Sequence, residues 1–149
     1  MDTSIFKYLF TLERDYNYFI NKRLRELQIK KNDVKVIKNI NQNHGISQNE
    51  ICVLLKEDKV TVAKSVKKLE ALGYIKRTNE NADKRIVTLY VTEEGQGVRR
   101  KIMKIFEDLK TIFMKDLSPK EQEMAVALLA KMSKNMHDES TRLGDNTDK

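Results

Sequence analysis

Cys52, His44 and His137 are the side chains of this 149-residue sequence best suited to nucleophilic or metal chemistry, and their number and spacing support neither. A single cysteine makes no internal disulfide, and one Cys with two distant His residues has no zinc-ligand spacing. No glycine-rich phosphate loop is present, and no nucleophile can be matched to a base. The sequence therefore reads as no enzyme, with no catalytic residues, no metal and no cofactor. Positive charge is what it concentrates. The chain carries 29 Lys and Arg against 22 Asp and Glu, a formal charge of +7. Residues 56–85 hold nine basic and five acidic side chains, the densest positive stretch, whereas 138–149 are net acidic. A local basic face implies an anionic partner.

The elements that position this charge follow from apolar spacing. Ile5, Leu9, Leu12, Tyr16, Phe19, Ile20, Leu24 and Leu27 recur every three or four residues, which predicts a long amphipathic helix over 5–29. Val34, Val36, Ile37 and Ile40 predict a second helix, stopped at His44-Gly45. Ser47-Gln48-Asn49-Glu50 has the form of a capping box and opens a short third helix to about Leu55. After Lys56-Glu57-Asp58, with Asp58 as cap, Val62, Val66, Leu69 and Leu72 give a fourth helix up to Gly73. Two short helices joined by a three-residue polar turn have the layout of a helix-turn-helix. Tyr74–Arg77 and Ile86–Val91 are β-prone runs flanking a polar connection, a two-stranded wing. Thr92 caps a long fifth helix to Leu117, and Ser118-Pro119-Lys120-Glu121 opens a sixth carrying Met124, Leu128, Leu129, Met132 and Met136. From about His137 the rhythm fades, and a flexible tail over 138–149 is expected. No apolar run is long enough to span a membrane. The N-terminus also lacks the basic start and uninterrupted apolar stretch of a signal peptide, so the expected location is cytoplasmic.

Taken in order from Ser47 to Gly95, several pieces resemble the winged-helix core of the MarR family, the multiple antibiotic resistance regulators. They are the small residue Cys52, Thr61-Val62, Leu69-Glu70 followed by Gly73, Arg77, the wing signature Asp83-Lys84-Arg85, and Thr92-Glu93-Glu94-Gly95. The chain departs from the family pattern at Lys56-Glu57, where Gly plus an apolar residue is common, and at Val60, where smaller residues are frequent. The expected fold class is mainly α (α+β). It comprises a winged helix-turn-helix over 31–97, flanked by a helical dimerisation region formed by 1–30 and 98–137.

The corresponding function is sequence-specific binding of double-stranded DNA by a homodimeric transcriptional repressor at a pseudo-palindromic operator. A helix about 10–12 Å across fits the major groove, and the fourth helix offers Lys59, Val60, Thr61, Lys64 and Lys68 to bases and phosphates. Ser47 and Gln48 can meet a phosphate at the start of the third helix. Arg85 has the reach for a minor groove, supported by Asp83, and Lys84 suits a phosphate. The resemblance further implies a small aromatic ligand that releases DNA, with Arg14 and Lys31 as candidate anchors. Ordinary surface charge is the competing reading of both. Cys52 is expected to be an inert buried thiol. The alternative function is a winged-helix adaptor that binds another protein without DNA specificity. Duplex affinity at low salt separates the two.

Overall fold

From the second helix onward, each helix begins where a short polar side chain, or in one case a buried carboxylate, satisfies a free backbone amide, and the element order follows those points. The computed structural model describes residues 4–79 and 87–145. Its elements are α1 (Ser4–Glu26), α2 (Lys31–Gln42), α3 (Gln48–Leu55), α4 (Lys59–Ala71), β1 (Ile75–Thr78), β2 (Thr88–Val91), α5 (Glu93–Met114) and α6 (Pro119–Asp145). The winged-helix arrangement expected from the sequence is present. Two compact units divide the chain, Met1–Glu107 and Asp108–Lys149, with α1 in the first and α6 in the second.

In the first unit, α4 packs against α2 and α3. Val62, Val66 and Leu69 of α4 are buried together with Val36, Ile37 and Ile40 of α2, Ile51 of α3, and Ile20 and Leu24 of α1. Full burial of each such side chain contributes about 1.5–3 kcal/mol, which makes this cluster the source of the unit's stability. The helix α1 stops at Glu26, three residues before the sequence-based end. The Gln28 amide donates to the Arg25 carbonyl at 2.9 Å and the Ile29 amide to the Leu24 carbonyl at 3.2 Å. This is the Schellman closure, with Gln28 at φ 59° where glycine is usual.

The wing stem is an antiparallel pair in which Ile75 faces Val91 and Thr78 faces Thr88. The two threonine hydroxyls meet at 3.0 Å. A contact not foreseen from sequence widens this sheet, because Leu89 donates to the Ile46 carbonyl at 2.9 Å and accepts from Gly45 at 3.2 Å. At the other end of β2, Thr92 caps α5 by accepting from the Gly95 amide at 3.0 Å, while its hydroxyl donates to the Gly73 carbonyl at 2.5 Å. Gly95 is required there. A Cβ at that position would stand 2.0 Å from the Tyr74 carbonyl oxygen.

The second unit contains the end of α5 and all of α6. Ser118 and Glu121 form the expected capping box: the Ser118 amide and hydroxyl each donate to the Glu121 carboxylate at 2.7 Å. The tail expected from residue 138 is instead helix as far as Asp145. Lys134 pairs with Asp138, Arg142 pairs with Glu139, and the Thr141 hydroxyl donates to the His137 carbonyl at 2.9 Å. Such pairs one turn apart support an exposed helix after its apolar rhythm has faded.

Candidate nucleic-acid interface

The helix-turn-helix is held by local bonds at both of its helix starts. At α3, Ser47 accepts from the Glu50 amide at 3.3 Å and donates through its own amide and hydroxyl to the Glu50 carboxylate, both at 2.7 Å. These bonds hold the Glu50 carboxyl below its ordinary range, the backbone amide of Ser47 contributing most. At α4, Asp58 accepts from the Thr61 amide at 2.8 Å and from the Thr61 hydroxyl at 2.7 Å. The Thr61 hydroxyl and then its amide lower the Asp58 pKa. Between the helices, Lys56 takes the left-handed conformation at φ 51°. A lysine therefore fills the backbone role that glycine performs at many helix ends, and the departure at Lys56-Glu57 leaves the turn intact.

On this frame Lys59, Val60 and Lys64 are exposed on α4, with Val60 at 63%. Neither lysine has an ion-pair partner among the described residues. Lys67 is exposed as well. Its spacing of three from Lys64 places it on the same helical face as Val60 and Lys64, a signal that the sequence reading passed over. Thr61 is half-buried, with its hydroxyl donating to Asp58; its methyl is the part left for a base. The acidic pair at the turn is also engaged, since Glu57 lies 3.9 Å from Lys35 while Asp58 serves as the cap.

The structure gives other work to two of the expected contacts. Lys68 is turned inward, its Nζ 2.9 Å from Asp33, a carboxylate only 5% exposed that also caps α2 by accepting from the Lys30 amide at 2.8 Å. Removing Lys68 would leave that carboxylate buried beside the capped amide alone. Both donors of Ser47 go to Glu50, so the half-buried Gln48 and not Ser47 is the expected contact whose polar side chain remains available at that end. Asp83, Lys84 and Arg85 lie outside the described residues. Arg77 on β1 pairs with Glu70 of α4 at 2.9 Å, tying the wing stem to the recognition helix.

The ligand candidates lie on and beside α1. Arg14 is exposed and paired with Asp15 at 2.9 Å, which raises the guanidinium pKa and lowers that of the carboxylate. Lys31 donates to Asn17 at 2.6 Å and lies over the Tyr16 ring. They belong to separate local clusters. Cys52 is half-buried rather than enclosed; Ile51 beside it is the residue of α3 that enters the core. Among the described residues no His, Cys, Asp and Glu cluster could hold a metal, and no helix is long and apolar enough to cross a membrane.

This geometry has clear relatives. Residues 29–95 match the family of the winged helix DNA-binding domain. Over 97 residues the chain is 30% identical to the transcriptional regulator HosA of Escherichia coli O157:H7, spanning 65% of this chain and 72% of HosA. It is 28% identical over 116 residues to YybA of Bacillus subtilis, described as an uncharacterized HTH-type transcriptional regulator, covering 78% of this chain and 77% of that one. The solved MarR protein from Peptoclostridium difficile superposes with a TM-score of 0.70 at 29% identity, covering 93% of this chain and 91% of the other. The capped helix-turn-helix, the wing stem and these relatives together establish that the chain is a DNA-binding transcriptional regulator belonging to the MarR family.

Proposed function

We propose that the chain acts as a homodimeric repressor, which occludes a promoter by binding a pseudo-palindromic operator and is released by a small aromatic ligand. The observation that carries the reading is the outer face of α4. Lys59, Val60, Lys64 and Lys67 stand exposed there on a helix whose opposite side is locked into the core. Lysines suit guanine acceptors and phosphates, and Val60 with the Thr61 methyl suits a thymine methyl, each good base contact being worth about 1–3 kcal/mol. Gln48 adds a phosphate contact beside them. Arg85, two residues from Asp83, supplies the minor-groove contact and Lys84 a further phosphate contact.

Dimerisation is supported by apolar rows that the single chain leaves uncovered. Ile5, Leu9 and Leu12 on α1 and Met124, Leu128, Met132 and Met136 on α6 are all exposed, and contiguous exposed apolar surface marks an interaction site. The helical parts 1–30 and 98–137 bury these rows against a second copy, while 31–97 read the DNA. Two-fold symmetry then presents two recognition helices to successive major grooves. A ligand releases DNA by favouring the dimer geometry with the wrong helix separation. For Arg14 or Lys31 to hold its carboxylate, Asp15 or Asn17 has to be displaced.

Duplex binding measured against salt tests this. Neutralising Z phosphates gives a log–log slope of about −0.9Z. Lys64→Gln is expected to reduce that slope by about one unit, and Arg85→Ala to weaken A·T-flanked sites most. A chain with no duplex affinity at low salt would overturn the proposal and favour the adaptor reading.

A further inference from the structure

Away from the outer face of α4, a cavity of about 470 Å³ is lined by Asn21, Arg25, Gln28, Ile29, Lys30 and Lys68. All six residues belong to the first unit. They come from the C-terminal part of α1, the connection to α2, and the inward side of α4. The volume falls within the range of about 300–1,000 Å³ that small-molecule sites occupy. Three of the six lining side chains are cations, and none is acidic. Among the described residues the one carboxylate that any of the three cations pairs with is Asp33, 2.9 Å from Lys68. Three positive charges against one carboxylate leave a surplus of two.

The remaining lining residues sharpen the chemistry. Asn21 and Gln28 are amides, able to donate or accept, and Ile29 is the one apolar member, itself almost fully buried. That lining offers an aromatic ring little to rest on. Gln28 holds its left-handed backbone at φ 59° as part of the closure of α1, which fixes the connection that lines the cavity.

We propose that this cavity binds a small dianion, of the phosphate or dicarboxylate type, between Arg25, Lys30 and Lys68. The bound dianion takes hydrogen bonds from Arg25 and Lys30, which pair with no carboxylate among the described residues, and shares Lys68 with Asp33. It thereby gives α1 and the recognition helix a common partner. The site is separate from Arg14 and Lys31, and it does not rest on the dimer or repressor reading.

Calorimetric titration of the full chain with inorganic phosphate, with succinate, and with chloride at matched ionic strength tests the proposal. Saturable binding of phosphate, succinate or both, with chloride inert, supports it, and the pattern identifies the type of dianion. The Arg25→Gln, Lys30→Gln double variant should weaken that binding by about tenfold or more while keeping duplex affinity. Both side chains are exposed, so its fold is expected to persist, as a thermal melt would show. The Lys59→Gln, Lys64→Gln double variant should bind the dianion as the wild type does. Phosphate and succinate behaving as chloride does at about 10 mM overturns the proposal. So does full binding by the Arg25 and Lys30 variant, or loss of binding confined to the Lys59 and Lys64 variant.

Discussion

Two helices with the same apolar rhythm have opposite fates. On α4, Val62, Val66 and Leu69 are at most 1% exposed, whereas on α6 Met124, Leu128, Met132 and Met136 are 44–66% exposed. Spacing of three and four states that a helix has an apolar face; it does not state what covers it. In α4 the cover comes from α2 and α3 of the same unit. In α6 the described residues leave these four side chains 44–66% exposed, and a second copy is the cover we propose. On that proposal the molecule divides by what holds each part, one region being stabilised within the chain and the other by association.

The sharpest test of that division is to remove comparable side chains from both faces. Leu69→Ala deletes fully buried atoms and should cost about 2–5 kcal/mol in urea unfolding of the winged helix. Leu128→Ala, made on an exposed face, should cost far less at concentrations where the chain is monomeric. Equal losses in dilute solution would erase the distinction between the two regions.

Next in size is the effect on assembly. Leu128→Glu combined with Met132→Glu introduces charge at the uncovered face, where burial of an unpaired carboxylate is strongly unfavourable. Sedimentation should then report the monomer mass, with the winged helix still folded by circular dichroism. A double variant that sediments as the wild type does would place the dimer contact elsewhere.

One device is common to both regions and should respond alike in each. Glu50 at α3 and Glu121 at α6 each close a capping box on a serine, and those bonds hold both carboxyls below their ordinary range. The Asp58 cap is lowered too, chiefly by the Thr61 hydroxyl. A carboxyl whose folded pKa is depressed contributes stability that is complete above its unfolded value and is lost as pH falls through the folded one. Helix content should therefore decline as pH drops below about 4, where unfolded carboxyls take up protons. Glu50→Gln and Glu121→Gln should each flatten that acid limb. A limb unchanged in either variant removes its cap from the acid response.

The caps also show which features were legible beforehand. Ser47 with Glu50, Asp58 with Thr61, and Ser118 with Glu121 are contacts between residues three apart, so composition and position were sufficient to find them. The Lys68–Asp33 bond joins residues 35 apart, and Lys68 read from the sequence as another surface cation of α4. The link from Ile46 to Leu89 likewise depends on the packing of α2 beside the wing. Helix content beyond residue 137 was missed for a different reason: exposed ion pairs sustain it without an apolar stripe. The cationic cavity was missed because its lining comes from α1, the following connection and the far end of α4.

The smallest predicted effect concerns the turn on which α4's angle depends. Lys56 holds φ 51° and Gln28 holds φ 59°, each a side-chain-bearing residue in a conformation that costs an L-residue roughly 1–2 kcal/mol. Replacing either by glycine removes that strain but adds unfolded-state entropy worth about 0.5–1 kcal/mol. The first quantity is the larger, so Lys56→Gly should stabilise the first unit by about 0.5–1 kcal/mol. No core contact is lost, because Lys56 is exposed and its amide bonds to the Cys52 and Val53 carbonyls survive the change. Denaturant melts of the variant would measure the gain. A loss of stability would mean that the lysine side chain contributes more at the turn than its exposure indicates.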